Sequence, residues 1–493
     1  MSTVREDGST RSDGLLRIGL FFDGTRNNAL NLARGRASGT DHNAPAQALA
    51  PAWRADDASP YHSRITSSFS NGLTNVARLH ALYPDGRMAG AATPSVAIYT
   101  EGTGTRDGQA DDLIGLAFGV GASGVRAKIN RALQDQLPAA LAQLARHWQQ
   151  PLRGVRVDLF GYSRGAAAAR DAANQIDAWG SPHWQGLLRE AGLHVDPAFA
   201  LRRPVIGFIG LFDTVVAVKG GRAEQPLRLH LPAGIAGKVL QLSARDEHRE
   251  HFALTTVAPD HEEIRLPGVH ANIGGGYDQT EEGPKLLTRP RSTQLRRHGL
   301  AEFAVPSRNW LHRTESHQRA LADAVRWQQQ LGLDATAVWV DTWHQWVRQR
   351  QAGSPSVLPT PTLFVYSAVV LKRPIDWRYQ LIALRLMHAR AAEAGVRWTD
   401  ASDTSLDAAL PGELRGIATA LMAGQALDGA QERLLTQRYL MQSAHWNFDA
   451  LGDTALTYAA DAGVSELPYR PGPGLFYINR PTADGQRVVL RNA

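Results

Sequence analysis

The chain of 493 residues contains no cysteine, which removes disulfides, thiolate metal sites and cysteine nucleophiles together. It is also poor in lysine: five of its 53 basic residues are Lys, so arginine carries almost all of the positive charge. That bias suits phosphate binding and suits a GC-rich coding bias equally well. The net charge of +6 and the pI of about 9.6 are compatible with an anionic partner but small for this length. No apolar run reaches the roughly 18 residues that a membrane-crossing helix needs. The opening MSTVREDGSTRSDG is polar, and the apolar stretch behind it, Leu15 to Phe22, is interrupted by Arg17 and ends at Asp23. This reads as a mobile tail over 1–14 followed by a strand, not as a signal peptide.

What is present is ample core material, with 43% hydrophobic and 20% charged residues. The length admits two or three domains, or one α/β core with insertions. LLRIGLFFDGT is a short apolar run halted by Asp-Gly, a buried strand; the polar stretch 26–62 after it reads as a loop or excursion. NVARLHALY has helical period, SVAIYTEGTGT is a strand ending in a glycine-rich turn, and 125–149 holds a helix with Ile129, Leu133, Leu137, Leu141 and Leu144 on its apolar face. VRVDLFGYSRGAAAARDAANQI is strand, turn, alanine-rich helix; PVIGFIGLFDTV (204–215) and the stretch 262–269 are further strands. Strands alternating with helices predict a mostly parallel sheet covered on both faces.

The character changes over 281–375, where the sequence is polar, Arg-rich and marked by Trp310, Trp327, Trp339, Trp343 and Trp346. It reads as a largely helical insertion, a lid or membrane-facing module, with Trp339, Trp343 and Trp346 at helical spacing. The bland alternative is that these rings pack a helix onto the core. Residues 377–396 form a strong amphipathic helix ended by Gly395, and LFYINRPTADGQRVVL a terminal hairpin. The expected layout is thus an α/β core over 15–280, the insertion, and a core-completing helix with a C-terminal region over 376–493.

Gly161-Tyr162-Ser163-Arg164-Gly165 carries the chemistry. A serine hydroxyl is a poor nucleophile at neutral pH, so acyl transfer requires a base, an acid to orient the base, and donors for the oxyanion. In G-x-S-x-G the glycines allow a strained strand-to-helix turn, and the amide after the serine, here that of Arg164, faces the oxyanion. The pattern alone occurs often by chance; the apolar strand before it and the helix after it give it weight. Asp213 ends the run VIGFIGLF, where a sheet delivers a side chain to its active edge; Asp246 and Asp260 are rivals that end no clear strand. Among 17 histidines, His270 follows a short strand and precedes a loop with three glycines, whereas His248, His251 and His261 lie on helical or polar ground. A second oxyanion donor is expected from the loop after the first strand, at the amide of Gly24 or Asp23. Asp23 is equally placed to hold that turn or bind a cation. The G-x-G-x-x-G run from Gly119 to Gly124 lacks the rest of a dinucleotide fingerprint and reads as a flexible loop. No H-E-x-x-H or EF-hand spacing occurs, so no metal or other cofactor is expected.

Five segments in this order, LFFDGTRNN (20–28), IYTEGTGT (98–105), LFGYSRGAAAAR (159–170), FIGLFDTVVAV (208–218) and GVHANIGGGY (268–277), resemble the catalytic domain of type VI secretion lipase effectors, family one. The resemblance spans roughly 15–280. It implies an α/β-hydrolase fold and phospholipase A1 or A2 activity with Ser163, Asp213 and His270 as the triad. It further implies an immunity protein and a VgrG-type spike as partners, no nucleic acid, export without a cleaved signal peptide, and action on the membrane of rival bacteria from the periplasmic side. Two departures stand out: about a hundred residues separate the glycine loop from the helix that usually follows it, and Phe212 replaces the usual Trp before the Asp.

Overall fold

A computed structural model describes residues 14–38, 71–87, 93–107, 109, 123–216, 226–296, 307–349, 360–399, 410–446 and 479–492. Its strands begin with β1 (Leu15–Phe22), β2 (Ser95–Thr100), β3 (Gly154–Tyr162), β4 (Ile206–Phe212), β5 (Ala236–Ala244), the two-residue β6 (Leu254–Thr255) and β7 (Glu262–Leu266). Six of these form one parallel sheet in the order β2-β1-β3-β4-β5-β7. The order reverses between β1 and β3, and a crevice at the carboxyl ends of the strands opens at such a reversal.

Two helical layers cover the sheet, and the two-residue alternation of the strands decides which side chain meets which layer. Leu16, Ile18, Leu20 and Phe22 of β1 join one buried cluster, whereas Phe21 joins the other. The helices are α1 (Ala29–Ser38), α2 (Asn75–Leu82), α3 (Val125–Asn130), α4 (Leu137–Ala145), α5 (Arg164–Asp177), α6 (Ser181–Glu190), α7 (His270–Gly274), α8 (Arg308–Leu311), α9 (Glu315–Leu331), α10 (Gln380–Glu393), α11 (Gly412–Met422) and α12 (Gly429–Arg438). The first cluster holds residues of α3 to α6, and the second holds residues of α2 and α10 to α12. The expected α/β core is therefore present, and its two departures from the sequence reading on this side are local. Residues 29–38, read as loop, form α1, while 39–62 of that stretch lie outside the described residues. The expected helix over 125–149 is α3 and α4 joined by a π-helical turn, Arg131–Gln136. Repeated four-residue steps drift around an α-helix, and the wider turn offsets that drift. As a result Ile129, Leu133, Leu137, Leu141 and Leu144 are all buried.

The insertion is built differently from the expectation. Beyond α8 and α9 it is a four-stranded antiparallel sheet of β8 (Glu281–Leu286), β9 (Arg291–Arg296), β10 (Val338–Gln349) and β11 (Thr360–Pro374), with β11 central. Trp339, Trp343 and Trp346 lie on a strand, not a helix. A step of four keeps Trp339 and Trp343 on one face, where both pack near Leu286, Ala368 and Val370; the step of three to Trp346 breaks the two-residue period. Trp310 and Trp327 pack against β11 from α8 and α9. The helix expected at 377–396 is present, opening as a 3-10 turn (Trp377–Tyr379), and it is buried over most of its positions rather than one stripe.

No terminal hairpin forms among the described residues. The 1–13 tail and the hairpin's first arm, through residue 478, lie outside them. The second arm instead contributes β12 (Val489–Leu490), which pairs in parallel with β6.

Candidate active site

Ser163 follows β3 and is the N-cap of α5, with φ of 57° and ψ of −124°. Only Arg26, Ser163 and Asp213 have positive φ among the described non-glycine residues, and all three follow β1, β3 or β4 at its carboxyl end. Such backbone costs about 1–3 kcal/mol per residue and persists only where the surroundings impose it. Here a Cβ on Gly165 would stand 2.3 Å from the Phe22 carbonyl oxygen, and one on Gly161 2.5 Å from that of Gly165. The elbow thus needs its glycines for close approach of backbone to backbone. The Ser163 amide donates to the Phe212 carbonyl at 3.0 Å, and the Val215 amide reaches the Ser163 carbonyl at 3.4 Å, so the turn after β4 brackets the serine.

Asp213 and His270 come together: His270 Nδ1 lies 2.5 Å from Asp213 Oδ2. The histidine was expected on a loop after a strand; it is instead the first residue of α7, four residues beyond the end of β7. The glycines behind it keep their expected use. Gly275 and Gly276 have φ of 79° and 94°, and a Cβ on Gly274 would enter the Tyr162 ring at 1.9 Å. The imidazole sits between aromatic rings, 4.8 Å from that of Tyr162 and 5.0 Å edge-on from that of Phe252. Burial lowers the His270 pKa below its ordinary value, against the pull of Asp213.

Two groups that the sequence reading missed hold this pair. Arg487 grips Asp213 with both ends of its guanidinium, Nη1 to Oδ1 at 2.7 Å and Nη2 to Oδ2 at 2.8 Å, while the Ala244 amide donates to Oδ1 at 2.8 Å. Burial alone would raise the Asp213 pKa; the charge of Arg487 foremost, with the hydrogen bonds from His270 and Arg487, outweighs it and holds the carboxyl below the usual range. Glu247 accepts the His270 amide at 3.2 Å and is itself paired with Arg249 at 2.9 Å. No sequence signal joins Arg487 to Asp213 across 274 positions. Glu247, the residue after Asp246, offered only its neighbourhood.

The rivals are occupied elsewhere. Asp246 accepts from the Gly268 amide at 2.6 Å and so shapes the approach to α7; Asp260 accepts from Asn492 at 2.9 Å. His248 and His261 bond to the carbonyls of Asp246 and Leu231.

In the loop after β1, the two amides expected as the second oxyanion donor already have acceptors. The Asp23 amide is used by the Thr100 carbonyl at 3.0 Å, and the Gly24 amide by its neighbour's carboxylate, Asp23 Oδ1, at 2.7 Å. A strand end extends its ladder, and an Asp closes its own turn, before either offers an amide to a ligand. Asp23 therefore holds the turn. Tyr99 also donates to it at 2.5 Å, and burial pushes its pKa up to about 6 despite these bonds. The loop stays at the elbow through Thr25, whose Oγ1 accepts from Arg164 Nε at 2.7 Å. EGTGT buttresses it from behind: the Gly102 amide donates to the Asn27 carbonyl at 2.8 Å, and a Cβ there would meet the Gly24 carbonyl oxygen at 1.8 Å. Glu101 in turn is anchored by Lys128 at 2.7 Å. Residues 119–122 of the G-x-G-x-x-G run lie outside the described residues.

No family model and no curated protein matches the chain. Among solved structures it is similar to that titled "Structure of the Tle1 effector bound to the VgrG spike from the Type 6 secretion system", with a TM-score of 0.64 and 23% identity over 97% of this chain and 94% of that one. A likeness of that size shows a shared fold. A crystal structure of an uncharacterized protein from Pseudomonas aeruginosa overlaps less, with a TM-score of 0.31 and 20% identity over 53% of this chain and 42% of that one.

Proposed function

We propose that the chain is a serine esterase in which Ser163 is the nucleophile, His270 the base and Asp213 its orienting partner. The observation that carries this reading is the 2.5 Å contact between His270 Nδ1 and Asp213 Oδ2 beside a serine held at positive φ. With the Nδ1 proton donated to Asp213, Nε2 is the basic nitrogen. It takes the Ser163 proton as Oγ attacks the acyl carbonyl, and the charge that develops on the carbonyl oxygen meets the Arg164 amide. That amide opens α5, where no intrahelical acceptor exists and the helix dipole favours an anion. Collapse expels the alcohol, which takes the proton from His270. Water then repeats the cycle and frees the acid. No cofactor is required for these steps. Because the base must be neutral, kcat/KM rises with pH through a value below the ordinary histidine pKa of 6.5 and stays level above it.

The substrate we favour is a membrane phospholipid cut at an acyl ester, as a phospholipase A1 or A2. The shared fold with an effector bound to a VgrG spike and the five ordered motifs support this reading. They also support delivery by a type VI system on a VgrG-type spike, action at the target membrane from its periplasmic side, and neutralisation by an immunity protein. Purified protein is to be assayed on phosphatidylethanolamine and phosphatidylglycerol vesicles and on soluble short-chain esters, beside Ser163→Ala. Fatty acid and lysolipid are expected from the vesicles and lost in the variant. Activity on soluble esters alone would sink the lipid assignment. A folded protein inert to a fluorophosphonate probe would favour a binding module.

A further inference from the structure

The C-terminal segment passes the Asp213 carboxylate and places Arg487 on it. It is fixed before and after Arg487: the Glu250 amide donates to the Arg480 carbonyl at 3.0 Å, and Leu254 and Thr256 donate to Val488 and Leu490 at 2.9 and 3.0 Å. Farther along, Asn492 accepts from Arg170 at 2.6 Å and donates to Leu231 and Asp260. Arg487 is itself held in place, since its Nε donates to the Phe252 carbonyl at 2.8 Å and the ring of Phe252 lies edge-on to His270. Its side chain is 3% exposed and that of Asp213 is fully buried.

We infer that Arg487 is a positioning residue for the esterase reaction: its planar fork fixes the rotamer of Asp213 and shares that carboxylate between a permanent cation and His270. The inference rests on the esterase reading above. The fork occupies both carboxylate oxygens, so the carboxyl group is locked about its own axis with Oδ2 presented to Nδ1. A neutral imidazole supplies no charge to a buried carboxylate, so the guanidinium is what keeps Asp213 ionised between turnovers. The cost falls on the imidazolium formed during attack, which meets a carboxylate already partly neutralised. Arg487 therefore makes His270 a weaker base that is available at lower pH.

Charge and fork are separable. Arg487→Lys keeps the cation but loses the planar two-point grip, so kcat is expected to fall about tenfold or more through misorientation, with the acid limb of kcat/KM where the wild type has it. Arg487→Gln removes the cation as well, and its acid limb is expected to move up by about one pH unit. Guanidinium ion at millimolar concentration is expected to restore part of the lost rate. The His270 titration, followed by NMR and identified by its loss in His270→Gln, reads the same shift without turnover. If the glutamine variant does not fold, the kcat of the lysine variant decides. Wild-type kcat in Arg487→Lys overturns the inference, as does an Arg487→Gln protein whose limb and His270 titration are unmoved. Failure of the esterase reading looks different: Ser163 then goes unlabelled by a fluorophosphonate in the wild type, while the His270 titration still reports on Arg487.

Discussion

Asp23 and Asp213 end strands of the same sheet, and both are buried, at 3% and 0% exposure. One carries a guanidinium on its carboxylate and the other only neutral donors. The first stays ionised far into acid; the second is pushed up to about 6. Burial is common to the two, so the arginine makes the difference. Two carboxylates at one edge are thereby sorted, the end of β4 into a permanent anion suited to orienting a base and the end of β1 into a turn that titrates.

Breaking the paired end has the largest expected effect. Asp213→Asn removes the acceptor that sets the His270 tautomer and leaves Arg487 buried without its partner. We expect kcat to fall on the order of 10⁴-fold and unfolding free energy to drop by about 3–5 kcal/mol, read by kinetics and urea denaturation. At the unpaired end the sign is opposite to that of an ordinary carboxylate. The folded state holds the Asp23 proton more tightly than the unfolded chain, so its contribution is full below about pH 4 and is lost as pH rises through about 6. A shift from 3.8 to about 6 corresponds to about 3 kcal/mol. Asp23→Asn should erase that component, and a wild-type melting temperature that does not fall relative to Asp23→Asn across this window would contradict the contrast.

Gly165→Ala probes the spacing between the two ends. In an open helix the change gains about 0.5–1 kcal/mol. Here the added carbon meets the carbonyls of Phe22 and Asp23, so a loss of about 1–3 kcal/mol is expected, with lower activity. The smallest effect is expected at Trp343, whose ring stacks at 5.9 Å on that of Tyr366 in the insertion. Trp343→Phe keeps most of the buried ring and should cost less than about 1.5 kcal/mol and leave soluble-ester hydrolysis unchanged. A loss confined to vesicles would give the insertion a membrane role.

The core was legible because its strands are continuous apolar runs that stop at Asp-Gly, Gly-Tyr-Ser and Phe-Asp, and a parallel sheet buried on both faces leaves that signature. The same stops named Ser163 and Asp213. His270 was found through its glycines although its local structure was misjudged, since a five-residue helix is too short to show a period. The insertion was misread because tryptophans at steps of four and three imitate a helical stripe, while the alternation of Val338, Val340 and Thr342 with Trp339, Asp341 and Trp343 marks the strand they occupy. Arg487 had no local signal; its partner is fixed only when the chain returns across β6. No sequence signal showed that the amides of Asp23 and Gly24 already have acceptors, through the β1–β2 ladder and the Asp side chain.

The central claim is that an acyl group passes through Ser163. Wild-type and His270→Ala protein, incubated briefly with a phosphatidylethanolamine of defined chains, acid-quenched and digested, are to be read by mass spectrometry. The account predicts a fatty-acyl mass on the peptide containing Gly161-Tyr162-Ser163-Arg164-Gly165 in the wild type and none in the variant. Lysolipid release with no adduct on that peptide, and undiminished in Ser163→Ala, would contradict it.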